Sequence, residues 1–346
     1  MRTGIRDALL AAVLFGLSTP IAKGLVGSVP PQFLAGLLYI GSGVGLTALR
    51  AARRRRPIAE AAITSSDIPF LTGAIIFGGI AAPVLLMFGL QRTPASSASL
   101  LLNLETVFTA FIAWAIFREN IDSRIVAGFL AIVAGGVLLS WSGTVEFAEF
   151  AGALAIAAAC LCWGIDNNLT QKISGGDPIR IASLKGLAAG SLNIGLAWYF
   201  GQWRSPAASM WIALALGFVS YGLSLVLYIR ALRELGTARA GNYFSIAPFV
   251  GAVAGVILWR EPITLSLLVA GVLMGIGIWL HLSERHDHRH IHEEITHEHM
   301  HTHDVHHQHE HAPEEPAGEP HSHRHRHEPI AHSHPHYPDI HHRHPH

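Results

Sequence analysis

The stretch ASSASLLLNLETVFTAFIAWAIFRE, Ala95–Glu119, is almost wholly apolar, and one carboxylate, Glu105, lies close to its middle. It stops abruptly at Arg118-Glu119, and a similar stretch, AGNYFSIAPFVGAVAGVILWRE, returns at Ala240–Glu261 with its Arg-Glu ending 142 residues further on. An apolar run of this length spans a bilayer as a helix. Its recurrence points to two copies of one membrane unit.

The composition agrees with that reading. The chain has 346 residues, of which 50% are hydrophobic and 14% charged, with 34 glycines, a profile of helical membrane proteins rather than soluble enzymes. Its formal net charge of zero averages two unlike parts: residues 1–282 carry 19 Lys and Arg against 12 Asp and Glu, and residues 283–346 carry 5 against 12. All 24 histidines lie at or beyond His281. The two cysteines, Cys160 and Cys162, sit in one apolar run and build no disulfide framework. They lie two residues apart and point in different directions on a helix, so they read as packing residues. The basic start and apolar run of the N-terminus read as a first, retained membrane helix rather than a cleaved signal.

Apolar runs fall at about 7–26, 31–49, 68–90, 95–117, 121–141, 150–171, 179–201, 208–230, 239–259 and 263–282. Helices are required because lipid offers the backbone no hydrogen-bond partner. With the N-terminus in the cytoplasm, fourteen Lys and Arg fall on inner segments and three, Arg92, Arg204 and Arg260, on outer ones. That bias sets the orientation and returns the C-terminus to the cytoplasm. Each half has five spans, an odd number, so the second copy inserts upside down relative to the first, with the substrate cavity between the halves. Shared pairs support the duplication: Phe15-Gly16 with Trp163-Gly164, Gly89-Leu90 with Ala231-Leu232, and Ala127-Gly128 with Ala270-Gly271. The expected fold is thus an all-α polytopic membrane protein of ten transmembrane helices, as two inverted five-helix repeats followed by a disordered tail. The parts are residues 1–142, 150–282 and 283–346.

Trp163-Gly164, ALRELGTARAGN (Ala231–Asn242) and SIAPFVGAVAGVILWREPIT (Ser245–Thr264) resemble the drug/metabolite transporter superfamily, in its EamA-type form with two repeats. The resemblance covers about residues 5–282 and implies a five-plus-five helix carrier of small organic solutes, often an exporter. One departure matters. Family members often have Glu-Pro in the fourth helix, whereas here Glu105 precedes Thr106, and the second copy has Ala247-Pro248 at the matching place.

Several side chains are candidates for transport or coupling. Glu105 is costly in lipid and should face the bundle interior or a wet cavity, where a carboxyl can exchange a proton or simply bond a neighbouring helix. Asp166 and Lys185 lie at similar depth on neighbouring spans and can neutralise each other as a buried pair, or contact substrate. Lys23 is expected to reach the interface. Asn103, Asn167, Asn168, Asn193 and Asn242 either join helices or bond the solute. Pro83 and Pro248 free backbone carbonyls mid-span. Gly251/Gly255 and Gly271/Gly275 read as close-packing pairs.

The tail has 23 histidines in its 64 residues, seven prolines and few apolar side chains, which predicts disorder. The candidate metal ligands are His286, His288, His290, His292, His297, His299, His301, His303, His306, His307, His309, His311, His321, His323, His325 and His327. Neutral imidazole suits Zn, Ni, Co and Cu, and the lack of a fixed spacing points to several weak sites. A tail that turns basic as the cytosol acidifies is the rival reading.

No Walker-type signature and no nucleophile–base constellation is present, so neither an ATP-driven pump nor an enzyme has support. The leading expectation is a secondary carrier of a small solute, an exporter and proton-coupled, multi-pass in the inner (plasma) membrane with both termini cytoplasmic. A divalent transition-metal exporter with a metal-collecting tail is the alternative, and a membrane-anchored metal buffer the second. No cofactor is required beyond weak tail-bound metal. The partners are the lipid bilayer and a small molecule or ion, with no nucleic acid, and a homodimer is compatible with the chain.

Overall fold

The computed structural model describes residues 2–53, 63–117, 123–140, 147–174, 176–235, 237–282, 287–291, 295–301, 321–327 and 331–335. The first half contains α1 (Arg2–Gly16), α2 (Ser18–Leu25), α3 (Pro31–Arg53), α4 (Ile68–Ala74), α5 (Ala82–Arg92), α6 (Ala95–Leu101), α7 (Leu104–Phe117) and α8 (Ser123–Ser140). The second contains α9 (Phe147–Ile173), α10 (Pro178–Tyr199), α11 (Ala207–Leu216), α12 (Ser224–Leu235), α13 (Thr237–Phe244), α14 (Ala247–Trp259) and α15 (Leu265–Leu282). Among the described residues, each apolar run read from the sequence is mainly helical. Six helical stretches there are long and apolar enough to cross a membrane, and three further apolar helices are shorter.

Two pairs of irregularities repeat. A π-helical segment, Ile75–Ala81, joins α4 to α5, and another, Gly217–Leu223, joins α11 to α12 at a separation of 142 residues. The gap between α6 and α7 recurs between α13 and α14, and Ala95 and Thr237, the first residues of α6 and α13, are again 142 residues apart. The prolines sit just after these irregularities, in the first turns of α5 and α14. There the missing N–H is not needed, so each proline restarts a helix rather than breaking one mid-run. The gap after α6 forms without proline. Asn103 Nδ2 donates to the Leu100 carbonyl at 3.0 Å, and the Cys160 thiol faces the carbonyls of Leu101 and Leu102 at 3.7 and 3.9 Å. Side chains here satisfy carbonyls that a continuous helix would satisfy itself.

Packing follows the same duplication. α3 lies against α10 and α8 against α15, while α1 against α12 mirrors α5 against α9. At the α3–α10 crossing, a Cβ on Gly43 or Gly186 would run into the backbone of the opposite helix, so glycine sets the approach. Gly251 and Gly255 likewise pack on α6, at Ser99 and Ser96. Gly275 departs from its expected packing role, since nothing lies within 4 Å of a Cβ placed there.

The tail also departs from expectation. Among its described residues, strands β1 (Asp287–Ile291), β2 (Ile295–His301), β3 (His321–His327) and β4 (Ala331–Pro335) pair as two antiparallel ladders, β1 with β4 and β2 with β3. His-x-His alternation has the period of a strand, and backbone pairing needs no apolar core, which the low hydropathy argument for disorder overlooks. Such two-stranded ladders are marginally stable in water on their own.

Candidate functional site

The gap between α6 and α7 is where the polar groups gather. Glu105 occupies the first turn of α7 and is half-buried. The unpaired amides of a helix start favour a negative side chain at that place. Asn167 on α9 donates through Nδ2 to Glu105 Oε1 at 2.8 Å and to Thr109 Oγ1 at 3.3 Å. Asn168 donates to the Thr109 and Gly164 carbonyls at 3.1 and 2.9 Å. Gly164 lets α9 approach this closely, because a Cβ there would lie 3.0–3.1 Å from Phe108 and Thr109. Thr106 Oγ1 and Ser245 Oγ, 3.2 Å apart, tie the two helix gaps together.

Around α9 from Asn167, the face that carries the neighbouring Asp166 meets the first π segment. Asp166 and Lys185, both buried, form an ion pair, and Thr170 Oγ1 donates to the other Asp166 oxygen at 2.9 Å. Asp166 lies against Gly78, where any Cβ would overlap its carboxylate. The π turn leaves carbonyls without their usual helical partners, and side chains take them. Tyr39 OH donates to Gly78 O at 2.5 Å and Trp163 Nε1 does so at 3.2 Å. Asn193 Nδ2 donates to Gly79 O at 3.1 Å while its oxygen accepts from Gln32 Nε2 at 2.8 Å. Asn193 is therefore a helix-joining residue.

Aromatic rings fill the space between these groups and α1. Phe15 touches Trp163, Tyr221 and Phe244 at centroid distances of 5.9, 5.7 and 5.6 Å. Tyr39 meets Tyr221 at 5.5 Å and Tyr228 meets Phe244 at 4.7 Å. Gly16, beside Phe15, abuts the backbone of Ala247 on α14 as Gly164 abuts α7.

The structure thus brings together Glu105 and Asn167, and separately Asp166 and Lys185. Asn103 is buried with its amide nitrogen bonded locally and its oxygen without a hydrogen-bond partner among the described residues. Asn242 lies on α13, and its side chain lies outside the described residues. The side chains of the tail histidines also lie outside them. So do His286, His292, His303, His306, His307, His309 and His311 as whole residues. Lys23 corrects its expectation: it donates to the Leu90 and Thr93 carbonyls at 2.5 and 2.8 Å, closing the end of α5.

Three features escaped the sequence reading. The π segments leave no mark in hydropathy. Asp7, 1% exposed, pairs with Arg230 of α12 at 3.0 Å and with Arg6 at 3.2 Å. Glu261 accepts from the Ala95 and Ser96 amides at 2.6 and 2.8 Å, capping α6 from the other half. The left-handed backbone of Arg260 (φ 50°) turns the chain toward that contact.

The model of the EamA-like transporter family matches residues 2–141 and again residues 150–283. This chain belongs to that family. As an EamA-like protein with two repeats it is a multi-pass membrane transporter of small solutes. It is 27% identical over 292 residues to a transporter of Methanothermobacter thermautotrophicus described as uncharacterised, covering 80% of this chain and 85% of the relative. It is 26% and 25% identical over 298 residues to probable amino-acid metabolite efflux pumps of Salmonella typhimurium and Escherichia coli K12, covering 80% of this chain and 93% of each pump. A solved crystal structure shares the fold with a TM-score of 0.62 at 21% identity, over 80% of this chain and 98% of the other.

Proposed function

We propose that this EamA-like chain is a secondary exporter of a small organic solute, working by alternating access of two inverted five-helix repeats in the inner membrane. Both termini face the cytoplasm in this reading. The carrying observation is the recurrence of a π segment and a helix gap 142 residues apart, with Glu105 at one gap. Irregular backbone at membrane depth is tolerated where it lines protein or a cavity, and paired broken helices mark the substrate site of transporters built from inverted repeats. The positive-inside bias and the short links between successive helices support ten spans in this orientation. Glu105 is the coupling group: a carboxyl held by one amide can take up and release a proton as the site alternates. Asp166 and Lys185 set the charge beside it. The similarity to proteins named as amino-acid metabolite efflux pumps supports outward transport of an amino-acid-related solute.

The alternative of metal export has a weaker footing in the helical body. No group of three or more His, Cys, Asp or Glu able to hold a metal occurs among the described residues. Weak binding of Zn, Ni, Co or Cu by the tail remains our proposal. The backbone register that sets His297 opposite His325 and His299 opposite His323 favours it, because directly opposed residues of an antiparallel ladder are close neighbours.

The test is tolerance and accumulation in a strain lacking the protein, challenged with amino acids and their metabolites, drugs, and Ni, Co, Zn and Cu. It is complemented with the full chain, a chain ending at Leu282, or Glu105→Gln. Rescue toward an organic solute by both the full and shortened chains, lost in Glu105→Gln, is expected. Rescue confined to metals and dependent on the tail overturns the organic-solute reading.

A further inference from the structure

The tail has no task in the transporter reading, yet its strands are in step with one another. Three residues separate β1 from β2 and three separate β3 from β4, so the β1–β4 and β2–β3 ladders keep a single register. That register sets histidine opposite histidine. In the first ladder His288 is opposite His334 and His290 opposite His332. In the second His297 is opposite His325, His299 opposite His323 and His301 opposite His321.

Strand geometry then sorts the residues by face. Alternate positions of a strand share a face, and directly opposed positions of an antiparallel ladder share it too. The three histidine pairs of β2–β3 therefore occupy one face. The other face holds Thr296, Glu298 and Met300 opposite Arg326, Arg324 and Ser322, which matches an acid with a base. A slip of one residue would set His299 opposite Arg324 or Ser322 and dissolve the pairs. Opposed residues stand about 4.5–5.5 Å apart at Cβ, and same-face neighbours along a strand about 7 Å apart. Imidazoles at such positions can meet at one ion, with nitrogens about 2.0–2.1 Å from it. Two adjacent pairs supply four nitrogens. An all-imidazole set suits Ni, Cu, Zn or Co and lacks the oxygens that Ca or Mg require.

We infer that the histidine face of each tail ladder is a defined four-imidazole site for one divalent transition-metal ion. In β1–β4 the ligands are His288, His290, His332 and His334. In β2–β3 the pair His299 and His323 is the centre, completed by the pair on either side of it. The inference rests on the tail-binding reading above and adds two ordered, tighter sites to the weak ones. The ions also fix the ladders: two-stranded pairing is marginal alone, and a metal that binds only the paired form stabilises it.

The test uses the full-length protein in detergent, purified without a histidine tag, with Ni²⁺ as the probe and Mg²⁺ as the control. Calorimetric titration should show two Ni²⁺ ions bound at least tenfold more tightly than any further ones. Ni²⁺, and not Mg²⁺, should slow amide hydrogen exchange across the four strands at least tenfold. His290→Ala and His299→Ala should each weaken one of the two tight ions at least tenfold. His301→Ala should leave both in place, because His297 and His325 complete the second site. The deciding variant is His299→Met together with Met300→His, which keeps the histidine count and moves one imidazole position to the opposite face. It should weaken one tight ion as His299→Ala does. Tight binding that ignores this exchange, or that falls equally in every single variant, overturns the ladder sites and leaves weak tail binding standing. Amide exchange unchanged by Ni²⁺ overturns the ladder sites as well. No Ni²⁺ binding at all removes both readings.

Discussion

The two helix gaps are built on one plan and filled with opposite chemistry. Asn103 in the gap after α6 is followed by Glu105 and Thr106 in the first turn of α7, and α9 answers with Asn167 and Asn168. In the second half the matching positions are Ser245 in the gap after α13 and Ala247 and Pro248 at the start of α14, and α1 answers with Gly16 pressed on the Ala247 backbone. The second gap is followed by Pro248, which starts α14 where its missing N–H is not needed. At the first, an amide and a thiol take up the carbonyls, so the residue after the acid need not be proline and can bond the other half through Thr106. Of these matched positions, only Glu105 carries a charge.

That contrast can be broken in graded ways. The largest effect is expected from Lys185→Met, which strands the Asp166 carboxylate with Thr170 alone. Removing one partner of a buried pair costs about 3–5 kcal/mol. The variant should show a much lower melting temperature and yield, and Lys185→Met with Asp166→Asn should recover most of the loss. If the single variant is as stable as the parent, the pair does not hold the first-half π segment in place.

Next comes Glu105→Gln, which keeps an acceptor for Asn167 and so should leave stability within about 1 kcal/mol, the net worth of one hydrogen bond. Solute efflux from loaded proteoliposomes should nevertheless fall by at least about tenfold, a factor worth about 1.4 kcal/mol. Transplanting the acid sharpens the point: Glu105→Ala with Ala247→Glu should not regain efflux, because the backbone-packed Gly16 offers that second-half acid no amide. Recovery would mean the two gaps are interchangeable.

A smaller effect is expected from Glu261→Ala. It leaves two amides at the start of α6 without their acceptor and should lower stability by about 1 kcal/mol, the usual cost of losing a helix cap. Ending the chain at Leu282 should change efflux of the organic solute least of all, within the error of the flux assay. A large loss on truncation would make the tail part of the transport cycle.

Much of this architecture was legible in the sequence, because apolar runs of bilayer length have few other uses. The Asp166–Lys185 pair was legible too, since two opposite charges at equal depth on adjacent spans have strong reason to meet. Glu105 was identifiable as costly, but its partner was not: five amides were candidates, and which one reached it depended on how closely Gly164 lets α9 approach α7. Asp7 hid beside Arg2 and Arg6, where it read as part of a basic start, although its neighbour in space is Arg230, more than two hundred residues away. The π segments were invisible because one extra residue in a turn leaves the apolar pattern intact. The tail misled in the other direction: low hydropathy excludes a packed core but does not forbid backbone pairing.

The π segments also record history. Each stands at the same place in its own half, to the residue. An extra residue inserted twice, independently, at matching positions requires two coincident events. A single insertion in the ancestral half-length gene, copied when that gene doubled, requires one. The wide turn is therefore older than the two-repeat protein.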